Sequence, residues 1–320
     1  MTVLGKTRIF FVTDVHGSDK AFFKFVNAAS IYKAQILIIG GDVAGKSVVP
    51  IFSKGETFTA KLEGNLRTAK NKEELERLEK DIRATGSYPY ITTESEWSEL
   101  IRDPTKMDRL FDVLIKESLE RWCTIAEERL KKLGVRVIIN KGNDDPPIVE
   151  QTLKSFPFIE FPDERIIEID KHHGMLSLGY SNITPWRLPG DLPEEVITSK
   201  IEACLNGAYN INNMIFNIHV PPYNTHLDLA PKLDSDLKPV LNPGGEPEII
   251  HVGSTAVREA IEKYQPLLAL HGHIHESKGV SKIGRTHCFN PGSEYSIGVL
   301  KGLIVDISEN KIEAFVFTTG

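Results

Sequence analysis

Short apolar segments and one amphipathic segment alternate at the start of the chain. Residues 7–13 form a continuous apolar run rich in β-forming side chains, which predicts a buried strand. Residues 19–31 place Phe22 and Phe25 on one side of a helical pattern, and residues 35–39 return to a short apolar run. A strand, a helix and a second strand in this order indicate a β-α-β unit, so we expect a sheet with parallel strands.

The pattern changes after residue 45, where the sequence becomes polar and charged. Residues 71–83 carry oppositely charged side chains four positions apart, which predicts a solvated helix supported by ion pairs. Residues 107–133 have apolar side chains near helical spacing and predict a longer helix. Because structureless loops of this length are uncommon inside a compact domain, we interpret residues 45–133 as a helical insertion within a single domain that spans residues 1–320.

After residue 133 the chain alternates short apolar runs with amphipathic segments. Two further helices are predicted at residues 193–205 and 253–264. The predicted strands lie at residues 135–140, 165–169, 175–179, 214–218, 266–270, 304–307 and 312–318. Together with the β-α-β start, this alternation predicts an α/β fold.

The composition disfavours several classes of protein. The 320 residues are 41% hydrophobic and 26% charged, which is typical of a globular protein with a sizeable core. The formal net charge of -6 disfavours a general nucleic-acid binder, which usually shows a basic excess. No apolar run is long enough for a secretory signal or a membrane span, and the three cysteines form no CxxC pair. We therefore expect a cytoplasmic protein with reduced thiols and no nucleic-acid or membrane partner, and the oligomeric state stays open.

Five of the predicted strands end in polar residues of the types that bind metals. The clusters are Asp14-Val-His16, Gly41-Asp42, Gly142-Asn143-Asp144-Asp145, His219 and His271-Gly-His273-Ile-His275. In open α/β sheets, sites gather at the carboxyl ends of strands, so side chains far apart in sequence can converge there. Carboxylates, imidazoles and an amide oxygen suit divalent first-row metals, and a carboxylate such as Asp42 can bridge two ions. Any one such residue is more often a cap or a loop residue, but five clusters in this order favour a metal site.

This series of motifs, D-x-H, G-D, G-N, H and G-H-x-H, resembles that of the calcineurin-like metallophosphoesterase superfamily over nearly the whole chain. The stretches around His219 and His273 are similar to the Icc-related predicted phosphoesterases. The resemblance implies a two-sheet β-sandwich flanked by helices, with two divalent ions drawn from manganese, iron, zinc and nickel. It implies that one ion is held by Asp14, His16, Asp42 and His275. It implies that the other is held by Asp42, Asn143, His219 and His273.

Two departures from the family pattern bear on the chemistry. Many members carry G-N-H-[DE], in which the His contacts the substrate and can protonate the leaving group, whereas here Asp144 follows Asn143. Protein phosphatases carry G-D-x-x-D-R-G, whereas this chain has Gly45 and Lys46 at the motif positions of the Asp and the Arg. Both departures disfavour a protein phosphatase. With Asn143 and Asp144 as the catalytic candidates, we expect rates that depend steeply on the acidity of the leaving group, because an aspartate is normally ionised near neutral pH.

The motifs predict a hydrolase that acts on a small phosphoester, and more specifically a phosphodiesterase. A hydroxide that bridges the two ions would attack phosphorus in line while the ions hold the phosphate oxygens. The alternatives on the same site are a phosphomonoesterase and a nucleotide pyrophosphatase. A nuclease would need a basic track that the sequence does not display, and a non-catalytic scaffold should have lost ligands.

Some residues outside these motifs are candidates for supporting roles. His251 and Ser254 lie at the start of the helix predicted at residues 253–264, and a helix N-terminus can hold an anion, so both could contact the substrate. The alternatives are an ordinary N-cap by Ser254 and a structural hydrogen bond by His251. The turn at residues 290–293 has polar groups that could support the metal ligands.

Overall fold

Two six-stranded sheets form the centre of the molecule. The computed structural model describes residues 6–320. The first sheet contains, in spatial order, β20 (Lys311–Thr319), β19 (Lys301–Ser308), β1 (Thr7–Val12), β2 (Ile36–Ile39), β7 (Arg136–Ile139) and β8 (Ile159–Glu160). The second contains β17 (Gly279–Ile283), β18 (Thr286–Asn290), β16 (Leu268–Leu270), β13 (Ile215–Ile218), β10 (Gly174–Leu178) and β9 (Arg165–Glu168).

Four neighbouring strands of each sheet run parallel. In the first sheet these are β1, β2, β7 and β8, and in the second they are β10, β13, β16 and β18. Strand β1 lies in the interior of its sheet, because β2 pairs with one of its edges and β19 pairs antiparallel with the other. The pairing with β19 sets Phe10 opposite Ile304, two residues that are far apart in the sequence.

The two sheets pack face to face through apolar side chains. Along β1, Ile9 and Phe11 point into the layer between the sheets, whereas Phe10 and Val12 join the core on the outer face. The alternation follows from the strand, in which successive side chains point to opposite faces. From the second sheet, residues such as Phe289 complete the inner layer.

Helices cover the outer faces of both sheets. Within residues 6–320 the seven α-helices are α1 (Asp19–Tyr32), α2 (Lys72–Ala84), α3 (Glu94–Arg102), α4 (Pro104–Leu130), α5 (Pro147–Lys154), α6 (Glu194–Leu205) and α7 (Thr255–Tyr264). On the first sheet, Phe22 of α1 stacks on Trp122 of α4 with ring centroids 4.3 Å apart. On the second sheet, α6 and α7 contribute Ile201 and Ile261 to a separate buried cluster. This sandwich with helices on its outer faces confirms the predicted fold class.

The segment 45–133 is not entirely helical, contrary to the sequence-based interpretation. Besides α2, α3 and α4 it contains a four-stranded sheet of β5 (Asn65–Ala69), β4 (Thr57–Leu62), β3 (Ser47–Lys54) and β6 (Ser87–Thr92). Leu78 and Ile82 of α2 pack against Ile51 of this sheet. The strands are mostly half-exposed, and their polar side chains hide the apolar alternation that identifies a strand. The ion pairs predicted for α2 are confirmed, for example Arg77 with Glu73 at 3.0 Å.

Two short ladders complete the fold, and both lie in loops of the second half of the chain. They join β11 (Ser181–Asn182) to β12 (Asp191–Leu192), and β14 (Leu229–Pro231) to β15 (Ile249–His251). The predicted helices at 193–205 and 253–264 correspond to α6 and α7. Among residues 6–320, no helix combines the length and apolar character needed to cross a membrane.

Candidate metal centre

The parallel strands of both sheets end at one place, and the polar clusters follow them there. Asp14, Asp42 and Asn143 follow β1, β2 and β7 of the first sheet, while His219 and His273 follow β13 and β16 of the second. Hydrogen bonds join the strand ends, since the backbone N–H of Asp14 donates to the Gly41 carbonyl at 2.9 Å and that of His273 donates to the Asp14 carboxylate at 3.1 Å. The sandwich therefore brings the five sequence motifs together.

Asp14, His16 and His275 form the first side of the cluster. His275 Nε2 lies 3.4 Å from Asp14 Oδ1, and His16 Nε2 lies 3.9 Å from the same oxygen. The two imidazole Nε2 atoms lie 3.1 Å apart. A carboxylate oxygen and two imidazole nitrogens therefore point at one volume, which is a ligand set suited to a divalent ion.

Asp42 lies between the two sides of the cluster. Its Oδ2 atom is 3.6 Å from His16 Nε2, and its Oδ1 atom is 3.4 Å from His219 Nε2. On the second side, His273 Nδ1 lies 3.0 Å from Asn143 Oδ1. Asp42 therefore directs one oxygen to each side, as a carboxylate shared by two ions would.

Four of these residues have left-handed backbone conformations. The φ angles are 54° at Asp14, 39° at His16, 52° at Asp42 and 68° at His273. Non-glycine residues in this region cost about 1–3 kcal/mol each, although Asp and His tolerate it better than most. Such strain concentrates where a fold must hold side chains in a working geometry, so its location at four candidate ligands marks this cluster as functional.

The two carboxylates are ionised in spite of their burial. Burial alone would raise the pKa of Asp14, but the charges of His275 and His219 outweigh it and lower the pKa. Burial would also raise the pKa of Asp42, but His219 lowers it well below its ordinary value. For His219 itself, burial is outweighed by Asp42, which raises the imidazole pKa to about 9.

Other imidazoles of the cluster are neutral at pH 7. Burial lowers the pKa of His16 to about 3 and that of His273 to about 4. Within the described residues, His16 Nδ1 and both ring nitrogens of His219 are buried without a hydrogen-bond partner. Ionised carboxylates and neutral imidazoles are the forms in which these residues bind metals. The two carboxylates, His16 and His273 already have these forms, whereas His219, with its raised pKa, would release a proton on binding an ion. The donor set therefore fits divalent ions.

A second group of polar residues holds the candidate ligands in place. Asp191 Oδ1 accepts a hydrogen bond from Asn143 Nδ2 at 2.8 Å, which leaves the Asn143 oxygen facing His273. Ser181 Oγ lies 3.2 Å from His273 Nε2. The sequence does not identify Asp191 and Ser181 as supporting residues, because single polar residues in loops carry no periodicity or motif.

Asp145 ties two ligand-bearing loops together. Its buried carboxylate accepts hydrogen bonds from the backbone N–H groups of Val43, Ala44 and Gly142, at 2.7–3.0 Å. Burial and the nearby Asp42 raise the pKa of Asp145 to about 7. The loops after β2 and β7 are therefore fixed relative to each other.

The turn at residues 290–293 makes hydrogen bonds to backbone carbonyls at or beside the candidate ligands, which are contacts of the kind predicted from the sequence. Ser293 Oγ donates to the Asp14 carbonyl at 2.7 Å. Asn290 Nδ2 donates to the carbonyls of Gly272 at 3.3 Å and Ile274 at 2.9 Å, on either side of His273. The turn therefore anchors the backbone of two candidate ligands.

Lys46 is a further residue of this site, and the sequence analysis gave it no role. Its ammonium lies 3.0 Å from Asp144 Oδ2. Burial lowers the pKa of Lys46, but Asp144 and Asp42 raise it by more, so its net shift is upward and its charge persists at neutral pH. The Asp144 backbone N–H donates to Asp42 Oδ1 at 3.2 Å, which places this ion pair directly beside the cluster.

The structure does not bring His251 and Ser254 to the candidate centre. Ser254 is the N-cap of α7, with its side chain accepting from the Val257 N–H. The N-terminus of α7 is already occupied by the carboxylate of Glu194, which accepts from Ser254 Oγ at 2.6 Å and from the Ala256 N–H at 2.9 Å. His251 Nδ1 lies 2.8 Å from the buried Asp228 carboxylate, so its role is structural.

A cavity of about 770 Å³ opens beside the cluster. Asp42, Asn143 and His275 line it on the side of the candidate metal centre. Segment 45–133 borders the same cavity through Lys46 and Phe111. The cluster is therefore accessible to a ligand and not sealed within the sandwich.

Comparison with known sequences identifies a relative of this chain. The sequence matches none of the protein-family models. It is 33% identical over 168 residues to the uncharacterised protein MJ1162 of Methanocaldococcus jannaschii, a match that covers 51% of this chain and 68% of that protein. This chain belongs to the same family as MJ1162.

One solved structure shares the fold at low sequence identity, and two others are more weakly similar. TT1561 of Thermus thermophilus is 15% identical and has a TM-score of 0.54, with 98% of each chain covered. A novel archaeal phosphodiesterase is 9% identical with a TM-score of 0.37, covering 98% of this chain and 100% of that one. YfcE, a phosphoesterase from E. coli, is 16% identical with a TM-score of 0.33, covering 97% and 98% of the two chains. The first supports the fold alone, and the other two are too distant in shape to inform on activity.

Proposed function

We propose that this protein is a metal-dependent phosphoester hydrolase of the calcineurin-like superfamily, specifically a phosphodiesterase acting on a small substrate. The observation that carries the proposal is the position of Asp42, whose two oxygens face His16 at 3.6 Å and His219 at 3.4 Å. The proposed ligands of the two ions are Asp14, His16, Asp42, Asn143, His219, His273 and His275. The Icc-related branch, a cytoplasmic location and manganese as the first ion to test are part of the same proposal.

Two divalent ions held there would supply Lewis acidity and would lower the pKa of a coordinated water. The protein contributes the arrangement around them. Asp191 orients the Asn143 oxygen, and Asp145 fixes the loops that carry Asp42 and Asn143. Lys46 adds a positive charge where a phosphate would enter, and a fixed charge of this kind stabilises negative charge that develops on phosphate oxygens.

Asp144 is the proposed partner of Lys46 and not the proton donor to the leaving group. Its carboxylate is paired with the Lys46 ammonium at 3.0 Å. This salt bridge commits the Asp144 side chain to the Lys46 ammonium. This agrees with the steep dependence on leaving-group acidity expected from the sequence.

The test is hydrolysis by protein stripped of metal and then reloaded with Mn²⁺. We expect bis(p-nitrophenyl) phosphate to be cleaved faster than p-nitrophenyl phosphate, and chelation to abolish both activities. Asp42→Ala should lower activity by more than about 100-fold, because even an indirect supporting residue of a metal ligand is commonly worth about 10–100-fold. Elemental analysis should show both ions lost from this variant.

Asp81→Ala is the matched control, since Asp81 is exposed on α2 and away from the cluster. It should keep the wild-type metal content and rate. Full hydrolytic activity in thoroughly chelated protein would contradict the proposal. A preference for the monoester would point to the phosphomonoesterase alternative on the same ligands.

A further inference from the structure

Apolar side chains make up much of the lining of the cavity beside the candidate metal centre, and we call them the apolar wall. Its apolar side chains come from α4, from the loop 183–188 and from the β14–β15 region. They include Phe111, Ile183, Trp186, Leu233, Ile250 and Val252. Trp186 is 56% exposed and Ile183 is 52% exposed, although large apolar side chains are normally buried. Exposed apolar side chains gathered in a concave site are typical of ligand binding.

Three polar side chains from the same segments, Asn182, Thr184 and Lys232, are already committed to protein partners. The Asn182 amide donates to the Val252 carbonyl at 3.2 Å. The Thr184 hydroxyl donates to Asp191 at 2.5 Å, and the Lys232 ammonium pairs with Glu248 at 3.0 Å. These side chains are therefore poorly placed to read the hydrogen-bonding edge of a nucleobase or the hydroxyls of a sugar.

Another part of the cavity lining is strongly polar. There the candidate ligands Asp42, Asn143 and His275 line the space together with the Lys46 ammonium. The proposed metal ions and Lys46 would attract an anion, and the apolar wall lines the same cavity. A ligand that complements both the polar and the apolar parts of the lining has an anionic head and a hydrocarbon body.

We propose that the substrates are phosphodiesters in which one esterifying group is a hydrocarbon chain that lies along the apolar wall. This inference rests on the proposed phosphoesterase function and names its substrate class. The phosphate would lie at the candidate metal centre, and the chain would extend past Val252 toward Trp186 and Leu233. A cavity of about 770 Å³ is within the usual range of roughly 300–1,000 Å³ for small-molecule sites.

The test uses p-nitrophenyl phosphodiesters whose second ester group is methyl, butyl or octyl, with Mn²⁺-loaded protein. Each methylene that leaves water gains up to about 0.8 kcal/mol, which corresponds to at most about a fourfold rise in kcat/KM per methylene. We expect kcat/KM to rise with chain length, and p-nitrophenyl thymidine 5′-phosphate to be a poorer substrate than the octyl ester.

Two variants of the wall test whether the chain lies where proposed. Trp186→Ser and Leu233→Ser should each lower the ratio of kcat/KM for the octyl ester to kcat/KM for the methyl ester by about 10-fold. Each substitution removes most of the apolar surface of a side chain that would contact the octyl chain. Leu241→Ser is the matched control, since Leu241 is 58% exposed and does not line the cavity. Its ratio should equal that of the wild type.

The outcomes separate this inference from the proposed function. If the methyl ester is hydrolysed but kcat/KM does not change with chain length, the hydrocarbon inference is wrong and the phosphoesterase proposal stands. A thymidine ester that exceeds the octyl ester also overturns the inference. If no ester is hydrolysed, the binding of methyl-, butyl- and octylphosphonate is measured by calorimetry. An affinity that rises with chain length supports the hydrocarbon inference, and a constant affinity refutes it.

Discussion

Asp191 determines which end of the Asn143 amide faces the candidate metal centre. One carboxylate oxygen accepts from Asn143 Nδ2 at 2.8 Å, while the other accepts from the backbone N–H groups of Thr184 at 2.9 Å and Leu188 at 3.0 Å. In Asp191→Asn, the new carbonyl oxygen must stay on the backbone donors, so the new amide N–H group would face that of Asn143. Two donors cannot bond, so the Asn143 amide should rotate and turn its nitrogen toward the centre.

The magnitude of this change can be derived from the contact. The lost hydrogen bond involves a charged acceptor, a type worth about 1.5–3 kcal/mol. Loss of a residue that orients a metal ligand lowers affinity by about 10–100-fold, which corresponds to about 1.4–2.8 kcal/mol. The two ranges agree, so we expect one of the two Mn²⁺ ions to bind about 10–100-fold more weakly. The ion on the side of Asp14, His16 and His275 should keep its affinity.

Calorimetric titration of metal-free protein with Mn²⁺ resolves the two sites. The control is Asp228→Asn, which alters another buried carboxylate that accepts from backbone N–H groups, those of Asn224, Thr225 and Gly253. Among residues 6–320, none of the hydrogen-bond partners of Asp228 is a candidate metal ligand. If Asp191→Asn binds both ions as tightly as the wild type, or if Asp228→Asn weakens binding equally, the orienting role is wrong.

Two further predictions concern charged pairs. Lys46→Met should lower kcat/KM for bis(p-nitrophenyl) phosphate by about 100-fold, because it removes one charge-stabilising group, and should leave the Mn²⁺ affinity nearly unchanged. Lys46→Arg keeps the positive charge and should recover most of the rate. Equal rates in the wild type and both variants would refute a role for this ammonium. The hydrogen bond from Arg8 at 2.7 Å lowers the pKa of Asp306 in the folded protein. The ionised Asp306 carboxylate therefore stabilises the fold at pH values above the ordinary pKa of an aspartate. This stabilisation is lost as the pH falls through the lowered pKa of the folded state. Urea unfolding should therefore show Asp306→Asn destabilised at pH 7 and closer to the wild type near pH 2; a constant difference would contradict the assignment.

The sequence predicted the central elements because their signals are strong and local. Strands such as β1 and β2 are buried on both faces, so they appear as unbroken apolar runs. The strands of segment 45–133 were missed because one face of that small sheet is exposed, and β5 has a single buried residue, Ala69. Periodicity identifies a buried strand far more readily than an exposed one.

The candidate ligands could be named from sequence because each follows a strand and belongs to a motif with fixed spacing. Their role in metal binding stays a prediction. Lys46, Ser181 and Asp191 could not be named in this way, since their positions depend on how loops from different strands meet. The supposed substrate contact at Ser254 failed for a similar reason, because Glu194 reaches the helix N-terminus from another element.

The position of β1 has a consequence for how the protein is made. This strand leaves the ribosome long before its partner on one edge, β19, which is formed by residues 301–308. Until those residues emerge, the nascent chain holds an apolar strand with an open edge, which is a site for misassociation with other chains. The first sheet can therefore close only after β19 has been synthesised, so chaperone protection is most valuable to this protein in the interval between β1 and β19.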